Sequence, residues 1–349
     1  MSSSAVKVAV RVRPYNSREQ AEGAVLCVEM QGNMTRVYDP AAGVDKKFFF
    51  DHSYWSHDRF QKDPSTGYMS KDSADSPYAD QSVVFQDLGV GVLNNAWEGY
   101  HTCLFAYGQT GSGKSYSMVG YDANKGIIPI TCEQIFAKIA RGTDSSIKYD
   151  VKVSMLEIYN EQVQDLLQLP SNRARGGLKV REHPLTGVFV EDLSKTTVGS
   201  YEEISAAVDL GNKHRTVAAT QMNATSSRAH TVLTISFTQI FHDQATGKPV
   251  NRKQSDINLV DLAGSERVDK TGATGDRLQE GTNINKSLST LGKVITALAK
   301  KADGARGDMV PYRESKLTRI LQNALGGNSK TAMIAAISPA TFNLEVRGM

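Results

Sequence analysis

The chain has 349 residues, of which 40% are hydrophobic and 22% are charged. It is long enough to bury a substantial core, which excludes a short peptide module or a disordered tail. Lys and Arg number 40 against 37 Asp and Glu, and the resulting formal net charge of +3 does not favour a surface that wraps a polyanion.

Hydrophobic periodicity predicts strands and helices in alternation along the chain. Alternating or short apolar runs are typical of strands, whereas apolar residues three or four apart are typical of helices. The predicted strands are 6–12, 102–107, 150–159, 231–241, 257–262 and 332–337, and the predicted helices are 133–140, 201–210 and 283–301. We therefore predict an α/β fold with a central mixed sheet covered by helices on both faces.

Two polar segments, 61–81 and 169–177, are rich in Gly, Pro, Ser, Asp or Asn and are predicted to be surface loops. Neither is long enough to separate domains, so one domain with insertions is expected. Cys27, Cys103 and Cys132 have no CxxC spacing, and buried thiols in a reducing compartment are expected of them. The sequence contains no run of about 18 apolar residues, so no membrane span is predicted, and a soluble cytosolic protein is expected.

A glycine-rich segment directly follows the predicted strand 102–107 and fits the pattern G-x-x-x-x-G-K-[ST]. In such a loop, glycines let backbone N–H groups surround phosphate oxygens, the lysine reaches the β- and γ-phosphates, and the last hydroxyl binds Mg²⁺. The segment predicts a nucleotide site formed by Gly108, Gln109, Thr110, Gly111, Ser112, Gly113, Lys114 and Ser115. GTP is disfavoured, because the Asn-Lys-x-Asp pattern is missing: Asn212 and Lys213 are followed by His214 and Arg215.

A P-loop alone does not distinguish a kinase, a GTPase, a pump or a motor. Asp261 ends the predicted strand 257–262 and can hold the Mg²⁺ shell, while Gly264 can present its N–H to a γ-phosphate. A cap of a turn or helix is the alternative for Asp261. The polar run 223–230 can close over a nucleotide with hydroxyls and the Arg228 guanidinium, although runs of this kind are usually loops.

Together these three segments resemble the P-loop, switch I and switch II of the kinesin motor domain, in the same order. Supporting strings are RVRP at 11–14, AYGQT at 106–110, LEIYNE at 156–161, NINKSL at 283–288 and YRESKLTR at 312–319. Within the kinesins the chain resembles the kinesin-3, Unc104-like branch through YWSH at 54–57, VREHP at 180–184, VEDLSK at 190–195 and NKHRTVAAT at 212–220. The resemblance implies a motor domain over residues 5–339, while residues 340–349 do not match the usual final helix and neck linker.

The resemblance implies roles for individual residues. Arg11, Arg13 and Pro14 would line the adenine and ribose, and Tyr116 would stack on the base. Ser115 and Ser227 would bind Mg²⁺, with Asp261 acting through water. The implied catalytic set is Ser226, Arg228, Gly264 and Glu266, in which the Arg228–Glu266 ion pair closes the switches.

The residue spacing in the predicted helix 283–301 indicates that the helix has an apolar face and a basic face. Ile284, Leu288, Leu291, Ile295 and Leu298 form an apolar stripe, whereas Lys286, Lys293 and Lys300 recur every seven residues near the opposite face. The stretch 293–330 carries eight basic and three acidic residues, a net of +5. A solvated helix face is the alternative explanation. The resemblance implies contact with acidic tubulin through Lys286, Lys293, Lys300, Lys301, Arg306, Arg313, Lys316 and Arg319, with Lys179, Arg181, His183, Lys270 and Arg277 as secondary contacts.

The function that the resemblance implies is microtubule-stimulated hydrolysis of ATP to ADP with Mg²⁺, coupled to plus-end-directed movement. Because residues 340–349 depart from the family pattern, a nucleotide-dependent microtubule binder without productive motility is the alternative. The expected partner is the microtubule, in the cytoplasm on the cytoskeleton. Nucleic acid and membranes are not expected partners, and the head is expected to be monomeric.

Overall fold

The computed structural model describes residues 6–185, 187–221, 228–266, 276–302, 309–326 and 329–344. Within these ranges, the side chains of 217–221, 276–285, 302 and 326 are not described. No helix in this part of the chain is both long enough and apolar enough to span a membrane. The chain forms two compact units, one of Met1–Gly91, Phe105–Ile130 and Ala332–Met349 and the other of Val92–Leu104 and Thr131–Thr331.

The strands of the described residues are β1 (Val6–Val12), β2 (Val28–Gln31), β3 (Met34–Asp39), β4 (Val44–Phe49), β5 (His52–Trp55), β6 (Phe60–Lys62), β7 (Met69–Lys71), β8 (His101–Tyr107), β9 (Gly120–Tyr121), β10 (Asn124–Lys125), β11 (Ile147–Tyr159), β12 (Gln162–Asp165), β13 (Val180–His183), β14 (Gly187–Val190), β15 (Thr196–Thr197), β16 (His230–His242), β17 (Pro249–Asp261) and β18 (Ser329–Ile337). The helices are α1 (Ser17–Ala21), α2 (Gln81–Val84), α3 (Val90–Trp97), α4 (Lys114–Met118), α5 (Ile127–Ala140), α6 (Tyr201–Gln221), α7 (Asp276–Ala302), α8 (Lys316–Ile320) and α9 (Gln322–Gly326). A π-helical turn, Phe85–Gly89, joins α2 to α3.

The largest sheet has nine strands in the order β12-β11-β16-β17-β8-β18-β1-β5, with β15 also pairing with β11. β1 and β5 run parallel. β11 runs antiparallel to β12, β15 and β16, and β16 runs antiparallel to β17. This sheet is mixed, as the sequence predicted.

In the first unit, β1 lies in the core, with Ala9, Val10 and Val12 buried. Val12 packs with Cys27 and Val28, which come from the start of a small antiparallel sheet made of β2, β3 and β4. Segment 61–81, predicted to be a loop, instead contains β7, which forms a short hairpin with β6. Asp63 closes that hairpin, because its Oδ1 accepts the N–H groups of Ser65 and Thr66, each at 2.8 Å.

The second unit is built on three long antiparallel strands, β11, β16 and β17, of 13 residues each. In β16, Val232, Leu233, Ile235 and Phe237 are all buried. Because successive residues of a strand point to opposite faces, Val232 lies on one face of the sheet and the other three lie on the opposite face. β17 begins at Pro249, eight residues before the predicted strand, and α6 continues to Gln221 rather than ending at 210. α6 approaches β11 closely at Gly211, where an added Cβ would lie 2.4 Å from the Met155 sulfur.

Candidate nucleotide-binding site

The glycine-rich loop leaves β8 at Tyr107 and enters α4 at Lys114, in the first unit. Gly108, Gly111 and Gly113 adopt φ angles of 145°, 74° and 105°, which L residues with a side chain rarely adopt. At Gly108 the restriction is also steric, because an added Cβ would lie 2.2 Å from the carbonyl oxygen of Ala336 in β18. Glycine is therefore needed at these positions, because a residue with a side chain would strain or block the backbone conformation of the loop.

Lys114 lies inside this loop with 7% of its surface exposed. Its Nζ donates hydrogen bonds to the carbonyl oxygens of Gly108 (2.8 Å) and Gln109 (2.9 Å). Ser112 is 1% exposed, and its hydroxyl has no hydrogen-bond partner among the described residues. A phosphate oxygen can pair with a buried lysine and, in the same loop, with a buried hydroxyl that has no described partner.

The ring of Tyr116, in α4, packs against the guanidinium of Arg11. The Arg11 guanidinium carbon lies 5.1 Å from the centroid of the Tyr116 ring, which is cation–π range. Arg11 is 3% exposed, and burial lowers its pKa from the usual value. Its N–H groups donate to Ser56 Oγ, Gln81 Oε1, Ser117 Oγ and Ala79 O.

These contacts leave the role expected of Arg11 as a prediction. The resemblance implies that Arg11 lies against the adenine or ribose; in the structure four of its five N–H groups donate to protein acceptors and its guanidinium lies over the Tyr116 ring. Contact with the base or ribose remains a prediction for Arg11, Arg13, Pro14 and Tyr116.

Gln81 is a member of this region that the sequence reasoning missed. Its Nε2 donates to the carbonyl oxygens of Tyr116 (2.7 Å) and Asn124 (3.2 Å), while its Oε1 accepts from Arg11. Gln81 is 4% exposed. A single glutamine at the start of a short helix gives no signal in the sequence, since its partners come from distant segments.

Arg13 contacts the P-loop itself. Its Nε donates to the carbonyl oxygen of Gly111 at 2.5 Å, and its two Nη atoms donate to the carboxylate of Glu19 at 2.5 and 2.7 Å. Glu19 is 1% exposed and was also missed. The capping-box spacing of Asn16 and Glu19, which the structure contains at the start of α1, was the available signal for it.

In the second unit, Asp261 is the last residue of β17 and pairs with Thr231 in the ladder to β16. Asp261 is 7% exposed, Gly264 is buried, and Glu266 is exposed. Arg228 lies partly buried just before β16. Ser226 and Ser227 lie outside the described residues. Among the residues that are described, no three His, Cys, Asp or Glu side chains gather to hold a metal ion.

His230 joins three segments of the second unit, and no role of its own was predicted for it. The N–H of Ala263 donates to His230 Nδ1 at 3.0 Å, so Nδ1 is an acceptor and Nε2 carries the proton. Nε2 lies 2.6 Å from Ser287 Oγ in α7. This buried imidazole therefore links the start of β16 and the segment after Asp261 to α7.

The two faces predicted for α7 are present in the described part of the helix. Leu288 and Leu291 are buried and Ile295 and Leu298 are half-buried, whereas Lys286, Lys293 and Lys300 are exposed. The side chain of Ile284 is outside the described residues.

The basic residues around α7 differ in their surroundings. Lys293 Nζ lies 2.8 Å from Glu314 Oε2, and Arg313 Nη2 lies 2.9 Å from Glu182 Oε2. Lys301 is exposed, while Lys316 and Arg319 are half-buried. Arg306, Lys270 and the side chain of Arg277 lie outside the described residues. Part of the positive charge expected on this surface is thus offset by carboxylates.

The family model described as "Kinesin motor domain" matches residues 11–346. The chain belongs to the kinesin motor domain family. This kinesin is 53% identical to Kinesin-related protein 1 of Dictyostelium discoideum over 97% of its own chain, and 51% identical to Kinesin-like protein KIF1C of Homo sapiens over 99%. It spans 15% and 30% of the length of those two relatives. The prediction of the kinesin-3 branch is confirmed by KIF1C and by Kinesin-like protein KIF1B of Homo sapiens, which is 51% identical over 99% of this chain.

Solved kinesin structures share the fold over nearly the whole chain. A KIF14 dimer in a two-heads-bound state, with AMP-PNP in complex with a microtubule, gives a TM-score of 0.85 at 47% identity, covering 97% of this kinesin and 89% of that chain. A structure described as a fast kinesin gives a TM-score of 0.82 at 40% identity, covering 98% and 88%. The predicted kinesin-type α/β fold is confirmed.

Proposed function

We propose that this chain is a kinesin motor head that binds microtubules and couples that binding to the hydrolysis of ATP to ADP and phosphate. The observation that carries the proposal is the P-loop, with Lys114 buried and the Ser112 hydroxyl lacking a described partner, within a chain that matches the kinesin motor domain over residues 11–346. The KIF14 structures, which hold ADP or AMP-PNP in complex with a microtubule, support the same ligands here.

In this proposal the loop 108–115 holds the phosphates. Its N–H groups bind phosphate oxygens, and Lys114 exchanges carbonyl partners for the β- and γ-phosphates. Tyr116 stacks on the base, beside Arg11, Arg13 and Pro14. Because the backbone of the loop is already folded, the reorganisation needed when the nucleotide arrives is mainly the change of partners at Lys114.

Mg²⁺ would be held by Ser115 and Ser227, with Asp261 acting through water. Hydroxyl and carboxylate oxygens are the hard donors that Mg²⁺ takes, and this small set suits an ion that keeps waters and substrate phosphates as its other ligands. The ion would supply charge neutralisation on the β- and γ-phosphates.

The catalytic set is Ser226, Arg228, Gly264 and Glu266. Gly264 presents its N–H toward the γ-phosphate, and the ion pair between Arg228 and Glu266 closes the switches around the attacking water. Glu266 then helps to accept the proton of that water through a second water. Phosphoryl transfer depends mainly on positioning and electrostatics, so a latch that forms only in the closed state can control the rate.

The track-binding surface is the exposed face of α7 with the basic residues that follow it. Lys286, Lys293, Lys300 and Lys301 point to solvent, as a surface that meets acidic tubulin requires. Arg306, Arg313, Lys316 and Arg319 complete the proposed set. We assign the motor domain to residues 5–339, followed by segment 340–349, and we place the protein in the cytoplasm on microtubules. Plus-end-directed movement stays a prediction from membership of the kinesin-3 branch.

The test is ATP turnover with increasing microtubule concentration, measured at low and at physiological ionic strength. We expect turnover to rise steeply with microtubules, and we expect Glu266→Ala to retain nucleotide binding while losing the stimulation. Glu22→Ala is the matched control, because Glu22 is an exposed carboxylate in an exposed pair with Arg18. Turnover that does not respond to microtubules at low salt would refute the motor function.

A further inference from the structure

Glu19 is buried more deeply than its position at the start of α1 requires. A capping-box glutamate needs one backbone N–H, and Glu19 Oε2 accepts that of Asn16 at 2.8 Å. The carboxylate also accepts from both Nη atoms of Arg13, from Ser338 Oγ at 2.8 Å and from Asn343 Nδ2 at 3.0 Å. These five donors satisfy a charge that is only 1% exposed.

Through Arg13, this carboxylate reaches the P-loop. A guanidinium is planar, so a carboxylate that binds both Nη atoms also fixes the direction of Nε. Nε of Arg13 donates to the carbonyl oxygen of Gly111, in the middle of the loop, at 2.5 Å. Glu19 thereby sets where Arg13 holds the loop, although it has no described contact with the loop itself.

On its other side Glu19 binds the segment after β18. Ser338 and Asn343 lie 319 and 324 residues further along the chain. Backbone hydrogen bonds fix the same segment to residues 25–27, from Cys27 N–H to Pro339 O at 2.9 Å and from Thr341 N–H to Val25 O at 3.0 Å. The Glu19 carboxylate therefore links Arg13, which contacts the P-loop, to the segment after β18. That segment is held in place separately by its backbone hydrogen bonds to Val25 and Cys27.

We propose that Glu19 is a positioning residue for the nucleotide site, which holds Arg13 against Gly111 and makes the geometry of the P-loop depend on Ser338 and Asn343. The inference rests on the proposed function, because it takes the P-loop as the nucleotide site. Its distinctive consequence is that Asn343, which has no described contact with the loop, contributes to nucleotide affinity. A role in folding alone would lower stability and leave that affinity unchanged.

The experiment measures the Kd of ADP for the whole chain, together with thermal unfolding. Glu19→Gln keeps the size of the side chain but removes the charge that orients Arg13, so we expect Kd to rise about tenfold, as for the loss of a charge-assisted hydrogen bond. Asn343→Ala should raise Kd less, about threefold, because it removes one of the five donors to the carboxylate and leaves the Arg13 pair in place. In the double variant, Kd should rise no further than in Glu19→Gln, because both changes act through the same carboxylate.

Glu22→Gln is the matched control, since it makes the same change three residues away in an exposed pair with Arg18. It should leave the Kd of ADP within about twofold, as expected for an exposed pair. If both Glu19→Gln and Asn343→Ala lower the unfolding temperature while Kd stays at the value of the unchanged protein, the inference is overturned. If Glu19→Gln does not fold, Asn343→Ala and Ser338→Ala decide by the same criterion. Failure of the unchanged protein to bind ADP would count instead against the proposed function.

Discussion

Two opposing effects set the pKa of the Glu19 carboxyl. Burial raises it, and hydrogen bonds from Arg13, the Asn16 N–H and Ser338 lower it by more, so the pKa lies below the usual value for a glutamate. A carboxyl whose pKa is lower in the folded than in the unfolded state contributes stability at pH values above its unfolded pKa. That contribution is lost as pH falls through the folded pKa.

We therefore expect the difference in unfolding free energy between the unchanged protein and Glu19→Gln to be constant from pH 6 to 8. It should shrink as pH falls below about 4, near the pKa of an unfolded glutamate. Urea unfolding at a series of pH values measures it. A difference that grows on acidification would contradict the assigned direction of the shift.

At the scale of single elements, α7 has one packed face and one exposed face, so stability and the proposed track binding rest on different residues. Leu291 is 2% exposed on its packed face, so Leu291→Ala should lower the unfolding free energy by about 2–5 kcal/mol. Lys293→Ala should change it by less than about 1 kcal/mol, because the ion pair with Glu314 is exposed to solvent. Urea unfolding of the two variants checks both values. Similar losses from the two substitutions would contradict the two-faced arrangement.

The surroundings of the lysines in α7 predict which of them contributes more to microtubule affinity. Glu314 offsets the charge of Lys293, whereas the described residues include no ion pair for Lys300. Lys300→Ala should therefore weaken microtubule affinity more than Lys293→Ala does, in cosedimentation with AMP-PNP. The reverse order would show that the pair with Glu314 is broken on the track.

Elements that bury an apolar face were predictable from the sequence, and those held only by their neighbours were not. The alternation in 231–241 marked β16, but the first half of β17 is polar and exposed, and it is a strand because β16 pairs with it. In the same way, the pattern of the P-loop is local and was found from eight consecutive residues. Gln81 and His230 act through partners far away in the chain, and Glu19 joins its neighbours Arg13 and Asn16 to the distant Ser338 and Asn343. These roles required the folded structure.

At the scale of the whole molecule, the net charge of +3 has an uneven distribution. The stretch 293–330 carries a net charge of +5 and the remainder −2. The Lys293–Glu314 and Arg313–Glu182 ion pairs reduce the positive charge that the basic surface exposes. Where a charge lies should therefore matter more for track binding than the total.

Two variants with the same net charge test this. Glu314→Gln releases Lys293 and should tighten microtubule binding at low salt, and the gain should fade at higher salt as screening increases. Glu29→Gln makes the same change in an exposed pair with Arg36, in the other compact unit, and should have little effect. Equal tightening by both variants would mean that net charge alone governs the association.

The hairpin of β16 and β17 also offers a site for attaching a fluorophore or a bead tether. Its exposed turn at residues 243–247 is closed by Asp243, which accepts the N–H of Gly247 on its carbonyl oxygen at 2.8 Å. The opposite end of the ladder is the Thr231–Asp261 pair, about 40 Å away at the rise of an extended strand. Exposed turns of this kind tolerate insertions. A fluorophore or a bead tether placed there would report on the head while standing far from Asp261, a member of the proposed nucleotide site.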